Sequence, residues 1–144
     1  MPDQDAEPHG WVNRLQTRRP AAILPAWLLV VVWAGIIFAL SATPNLRVAQ
    51  AADLDFILRK SGHMAAFGIL AVLLWRALTL SAIRRAMVWS LVLTVAYAAT
   101  DEFHQSFTAG RNASGVDVSI DSAGALIALL TLVVWLHFWA RRRA

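Results

Sequence analysis

The sequence predicts an all-α fold, a polytopic membrane bundle of four transmembrane helices with both termini cytoplasmic. Three observations predict it. Of the 144 residues, 58% are apolar and 15% charged, and the mean hydropathy is +0.55; a soluble domain runs near half and a quarter. The apolar residues gather into four runs. The cations cluster at alternate ends of those runs. The net charge of +4 and pI near 11.0 would suggest nucleic acid in a soluble protein. Basic residues that flank apolar runs instead mark a membrane protein, so no nucleic-acid partner is expected. The absence of cysteine excludes a disulfide scaffold, a thiol nucleophile, an iron–sulfur cluster and a cysteine zinc site.

The length accommodates one domain. Residues 1–19 are polar, with Asp3, Asp5, Glu7 and Pro8, and read as a disordered cytoplasmic tail. Residues 20–144 form the transmembrane domain, with helices over about 21–41, 56–80, 84–108 and 115–140. The first run carries no charge and meets the roughly 20 residues that a bilayer requires. Its Pro25 is placed in the first turn, where a missing N–H costs little. A cleaved signal peptide ending at Ala39-Leu40-Ser41 is the competing reading. The length of the run and its Trp27 and Trp33 argue against that.

The middle runs are short. Fifteen uncharged residues separate Lys60 from Arg76, and fifteen separate Arg85 from Asp101. At 1.5 Å per residue that is about 23 Å, less than the hydrocarbon thickness. Polar groups at the far ends, Lys60, His63, Asp101 and Glu102, are therefore drawn toward membrane depth. Nine of the thirteen cations (Arg14, Arg18, Arg19, Arg76, Arg84, Arg85, Arg141, Arg142 and Arg143) fall on one side, which makes that side cytoplasmic. Trp75, Trp89, Trp135 and Trp139 read as an aromatic belt, and His137 as interfacial.

On the outer side, polar residues converge. A second helix reaching back to near Asp53 puts Lys60 and His63 on one face, three residues apart. Asp101 and Gln105 share a face at the end of the third helix, with Glu102 and His104 beside them. Gly110 suits a helix-ending left-handed residue, followed by Arg111. Ser114-x-x-Asp117 reads as a capping box that starts the fourth helix near Gly115. Asp117, Asp121 and Gly124 then form one stripe, with Gly124 open to a neighbouring backbone. Gly68 and Gly124 could pack helices within one chain or between chains. Asp101, Glu102 and His63 are the candidate catalytic groups. Lys60, Gln105, Arg111, Asp117 and Asp121 are the candidate substrate-binding groups. Asp53, Asp55, Arg47 and Arg59 read as solvated or paired helix-end charges. His63 with carboxylates is the nearest approach to a divalent-cation set, but no tight ligand motif occurs and no metal is assigned. No cofactor is identified. Phosphate loops and serine elbows are absent.

The segment Asp101-Glu102-Phe103-His104-Gln105-Ser106-Phe107, followed by Gly110-Arg111, Ser114, Asp117, Asp121 and Gly124, resembles the VanZ-like family. So do Lys60-x-x-His63, with Phe67 and Leu70 after it, and the step Ser41-x-x-Pro44. The resemblance runs from about Trp33 to Leu129. Asp121 stands where many members carry asparagine, and Phe67 where many carry tyrosine. The resemblance implies a small multi-pass protein of the cell (cytoplasmic) membrane, in a family whose founding member is associated with resistance to the glycopeptide teicoplanin. Its expected partners are membrane lipids and a lipid-linked envelope precursor. Three readings follow: binding or modification of an envelope component, hydrolysis or transfer on lipid phosphates, and a small transporter.

Overall fold

The computed structural model describes residues 20–43, 50–108 and 114–142. They form four helices: α1 (Pro20–Ser41), α2 (Ala52–Leu80), α3 (Ala86–Gln105) and α4 (Gly115–Arg141). Three of them are long and apolar enough to cross a membrane: Ala21–Ser41, Asp53–Leu80 and Gly115–Arg141. α3 spends its last turn on Asp101, Glu102, His104 and Gln105, which leaves the short apolar stretch noted above.

The helix ends follow local chemistry. α1 begins with Pro20, whose fixed φ suits a first helical position. Pro25 consequently lies in the second turn rather than the first; no N–H from it reaches the exposed Ala21. α2 starts at Ala52, four residues before the expected 56, with Asp53 and Asp55 in its first turn where carboxylates oppose the helix dipole. Its far end closes in a Schellman motif. Ala82 N–H donates to the Thr79 carbonyl (3.0 Å) and Ile83 N–H to the Leu78 carbonyl (3.0 Å). Ala82 takes the left-handed φ of 57° that this motif requires. α3 ends at Gln105 and single turns continue to Thr108, the point at which the sequence placed the helix end. Gly110 and Arg111 lie outside the described residues.

α2 is the hub and packs against each of the other helices. Among the described residues, α1 and α4 nowhere approach within 8 Å, Cα to Cα. The main core joins Ala26, Val30 and Ile37 of α1 to Phe67, Leu70, Leu74 and Ala77 of α2 and Ala98 of α3. A second cluster joins Ala71 to Ala125 and Leu129 of α4, with Trp75 packed against it. Trp75 is thus partly core, whereas Trp89, Trp135 and Trp139 keep about half their surface exposed. Outward faces of α1 and α4 display Leu28, Val32, Leu130 and Val134, which suits contact with lipid.

α2 and α4 touch backbone to backbone. A Cβ added to Gly124 would fall 2.7 Å from Met64 Cγ and 2.8 Å from the Met64 carbonyl carbon. Gly68 faces the same seam, 3.2 Å from both the Gly124 oxygen and Ala128 Cβ by the same measure. The two glycines therefore pack helices within one chain. Gly124→Ala should destabilise the bundle by about 1–3 kcal/mol, the usual range for overpacking, read as a lower melting temperature in detergent. Ala82→Gly should raise it, by relieving the roughly 1 kcal/mol that a left-handed alanine costs.

Candidate functional site

A cavity of about 490 Å³ opens where the start of α2 and the end of α3 meet the start of α4. Lys60 and His63 enter it from α2, Glu102 and Gln105 from α3, and Asp117 and Asp121 from α4. Six of the eight residues singled out in the sequence are therefore together. Asp101 is not among the lining residues, and Arg111 is outside the described ones. Most of the wall is apolar. Ile36, Ile37, Leu40 and the flank of Trp33 come from α1, Ala65, Ala66 and Ile69 from α2, and Ile120 from α4. These apolar walls were not singled out in the sequence, because residues facing a cavity and residues facing lipid read alike.

The charged end is organised in pairs. Lys60 forms an ion pair with Asp117, and its ammonium stands 5.6 Å from the Phe56 ring centre. Asp117 thereby neutralises a cation that would otherwise be costly beside hydrocarbon. His63 places Nδ1 3.8 Å from Asp121 Oδ2 and stacks on Phe67 at 6.2 Å. Glu102 Oε1 accepts the Ser114 N–H at 2.5 Å. Ser114 is the N-cap of α4, its hydroxyl accepting from Val116 N–H at 3.2 Å. Ser114 therefore caps α4 through Val116, and neither arm of the capping box expected from Ser114-x-x-Asp117 is made. Glu102 from α3 takes the Ser114 N–H, and Asp117 is released to Lys60. Asp55 and Arg59 pair at 2.9 Å along α2, as the helix-end reading held. Among the described residues no three His, Asp or Glu side chains converge to hold a metal ion.

Asp101 turns the other way, toward α1. Its Oδ2 accepts from Ser41 Oγ at 2.7 Å and from Gln105 Nε2 at 2.8 Å. Ser41 is fully buried and Asp101 is 3% exposed. Ser41 belonged to the family resemblance, but its role was not foreseen. The usable signal was spacing: Ala26, Val30, Ile37 and Ser41 are the buried residues of α1 and fall on one helical stripe. Two further polar bonds fix α1 in register, Trp33 Nε1 to the Ala66 carbonyl at 2.9 Å and Tyr97 Oη to the Ala34 carbonyl at 2.7 Å.

This arrangement can seat an amphiphile. One end of the cavity offers fixed cations, carboxylates and an amide, and the other offers aliphatic wall. Lys60 and Glu102 are held by partners on another element and Gln105 by Asp101 one turn back on its own helix, so they are positioned before any ligand arrives. Ser41→Ala should cost about 1.5–3 kcal/mol, the value of a hydrogen bond to a charged group. Thermal unfolding checks this; the loss should far exceed that from Ser119→Ala, an exposed serine bonded within its own helix.

The sequence also matches a protein-family model. The model, VanZ/LLP1, covers residues 11–136. No curated protein and no solved structure matches the chain. The match takes in all four helices except the last turn of α4, together with every residue that lines the charged cavity, and the chain belongs to the VanZ/LLP1 family.

Proposed function

We propose that this VanZ/LLP1 membrane protein binds a lipid-linked component of the cell envelope in the cavity at the α2–α3–α4 end, with the cavity facing outward from the cytoplasmic membrane. The observation that carries the reading is the shape of the cavity. It is charged at one end, aliphatic along α1, and lined from both α1 and α4, whose backbones stay more than 8 Å apart, Cα to Cα, among the described residues. A chain lying in the bilayer can enter between α1 and α4 without leaving hydrocarbon. Its headgroup then meets Lys60, His63, Gln105, Asp117 and Asp121. Lys60 offers a point charge to a phosphate; the carboxylates and Gln105 accept from sugar hydroxyls or amines.

The outward orientation rests on the distribution of cations. Arg76, Arg84 and Arg85 lie at the opposite end of α2 and α3 from Lys60 and Glu102, and cytoplasmic loops carry the arginine excess. In this reading α3 is the fourth span, its short apolar length matched by paired polar groups at its outer end. Bilayer thinning or snorkelling accommodates such a mismatch at modest cost.

A second reading, hydrolysis or transfer on lipid phosphates, is favoured by one contact. Asp121 stands beside His63 inside the cavity, an arrangement that orients an imidazole for proton transfer. Glu102 also faces the cavity. Asp101, the third candidate, would act from the α1 side, away from it.

Native mass spectrometry with undecaprenyl phosphate as the probe tests binding. Wild type should retain the lipid. Ala65→Trp, which fills the cavity from a partly exposed position, should reduce retention at least tenfold, and Lys60→Gln by a similar factor, each with a melting temperature measured alongside. Equal retention in folded Ala65→Trp would exclude the cavity as the binding site. Release of inorganic phosphate or a transferred headgroup, abolished by His63→Gln with binding kept, would establish the enzymatic reading.

A further inference from the structure

The large cavity carries its opposite charges on different walls. α2 supplies the cations Arg59 and Lys60, and α3 and α4 supply the carboxylates Glu102, Asp117 and Asp121. Lys60 is matched by Asp117. Arg59 is matched by Asp55, which does not line the cavity. Glu102 and Asp121 are left over, against at most one positive charge from His63. The cavity therefore holds an excess of negative charge.

Neither of these two carboxylates is saturated. Asp121 is 4% exposed and Glu102 6%. Among the described residues no hydrogen bond reaches the Asp121 carboxylate. His63 Nδ1 stands 3.8 Å away, beyond hydrogen-bond length. Glu102 accepts the Ser114 N–H through Oε1, and no described group donates to its Oε2. Among the described residues, the buried side-chain atoms that are both sealed from water and without a hydrogen bond are Arg59 Nε and Asp101 Oδ1. The Asp121 oxygens and Glu102 Oε2 are not sealed, and they open onto the cavity that both residues line.

A carboxylate this deeply buried normally has donors, since it has given up most of its water. The missing partner must bring positive charge and N–H or O–H groups together. A hydroxyl brings a hydrogen without charge, and a quaternary ammonium brings charge without a hydrogen. A metal ion has no set of three ligands to hold it among the described residues. A primary ammonium carries a full charge and three donors, as many donors as there are open oxygens.

We propose that the headgroup taken by this cavity is zwitterionic, a lipid phosphate followed by a primary amine. The phosphate lies on the α2 side at Lys60, and the ammonium lies against Asp121 and Glu102. This rests on the reading of the cavity as a lipid site and narrows the class of lipid. The amine can belong to an aminoalkyl phosphoglyceride or to an amino sugar on a polyprenyl phosphate.

Native mass spectrometry of the full chain from nanodiscs tests this with two matched pairs of lipids, in which a hydroxyl replaces the amine without changing the shape. One pair is phosphatidylethanolamine and phosphatidylethylene glycol. The other is undecaprenyl phosphate glucosamine and undecaprenyl phosphate glucose. In at least one pair the amine lipid should be retained by about tenfold or more over its partner, the weight of a hydrogen bond between charged groups. Preference in the first pair alone assigns the site to a phosphoglyceride, and in the second alone to a polyprenyl lipid. Asp121→Asn should abolish the preference and leave retention of the hydroxyl lipid unchanged, a split that a merely structural role would not produce. Glu102→Gln, which keeps an acceptor for Ser114, should act in the same way and decides the matter if Asp121→Asn fails to fold. Asp53→Asn, which removes the same charge from an exposed position at the start of α2, should leave the preference intact. Equal retention within both pairs, lost in folded Ala65→Trp, overturns the amine proposal and leaves the lipid site standing. Preference that survives in folded Asp121→Asn and Glu102→Gln also overturns it. Retention of none of the four lipids, or retention unchanged in folded Ala65→Trp, overturns the lipid site itself and the proposal with it.

Discussion

α4 can lie directly on α2 because neither Gly68 nor Gly124 carries a side chain. Most of the remaining architecture follows from that contact. It sets the register in which Asp117 meets Lys60 and Asp121 meets His63, two turns and one turn along α4 from Gly124 respectively. It also commits one face of α2 to α4, so α1 must use another. The cavity is the space left between two helices that share a neighbour and whose described backbones stay more than 8 Å apart, Cα to Cα. In lipid, where helix association gains little from hydrophobic burial, such close backbone approach supplies the dispersion contacts that hold a bundle together.

α1 is held differently. Its apolar side chains have little reason to prefer protein over acyl chains, and much of their surface remains outward. Specific polar bonds fix it instead: Trp27 Nε1 to Ser81 Oγ at 3.1 Å near one end, Trp33 and Tyr97 in the middle, and Ser41 with Asp101 at the other. Each matches a donor with an acceptor on another element. Sliding α1 by one turn would break all of them together. The functional face and the fold are linked through α3, where Glu102 closes the turn into α4 while its neighbour Asp101 secures α1.

Much of this was legible in the sequence. Four helices were read from four apolar runs, and the convergence of Lys60, His63, Glu102, Gln105, Asp117 and Asp121 from helix ends alone. Gly124 was recognised as a place of close approach because a lone glycine follows Asp117 and Asp121 on one stripe. What could not be read was direction around α1. A helix that is apolar on every side carries no hydropathy signal for its buried face, since core and bilayer are equally apolar. Ser41 was the exception, a small polar residue continuing the spacing of Ala26, Val30 and Ile37. The divergence of Asp101 from Glu102 was also hidden. Adjacent helical residues point about 100° apart, so two neighbouring carboxylates on one helix end were bound to serve different faces.

The bond between Ser41 and Asp101 joins residues sixty positions apart, and this bears on how the chain assembles. Synthesis delivers α1 first. Until α3 emerges, the Ser41 hydroxyl can turn back to a carbonyl of its own helix, as serine in a helix commonly does, so α1 waits in the bilayer with nothing unsatisfied. Asp101 arrives with Gln105 one turn ahead, carrying its first donor within its own helix. Neither partner therefore depends on the other to enter lipid. The serine then exchanges a local acceptor for a charged one, and that exchange locks the first helix onto the third only after α2, the segment between them, is in place.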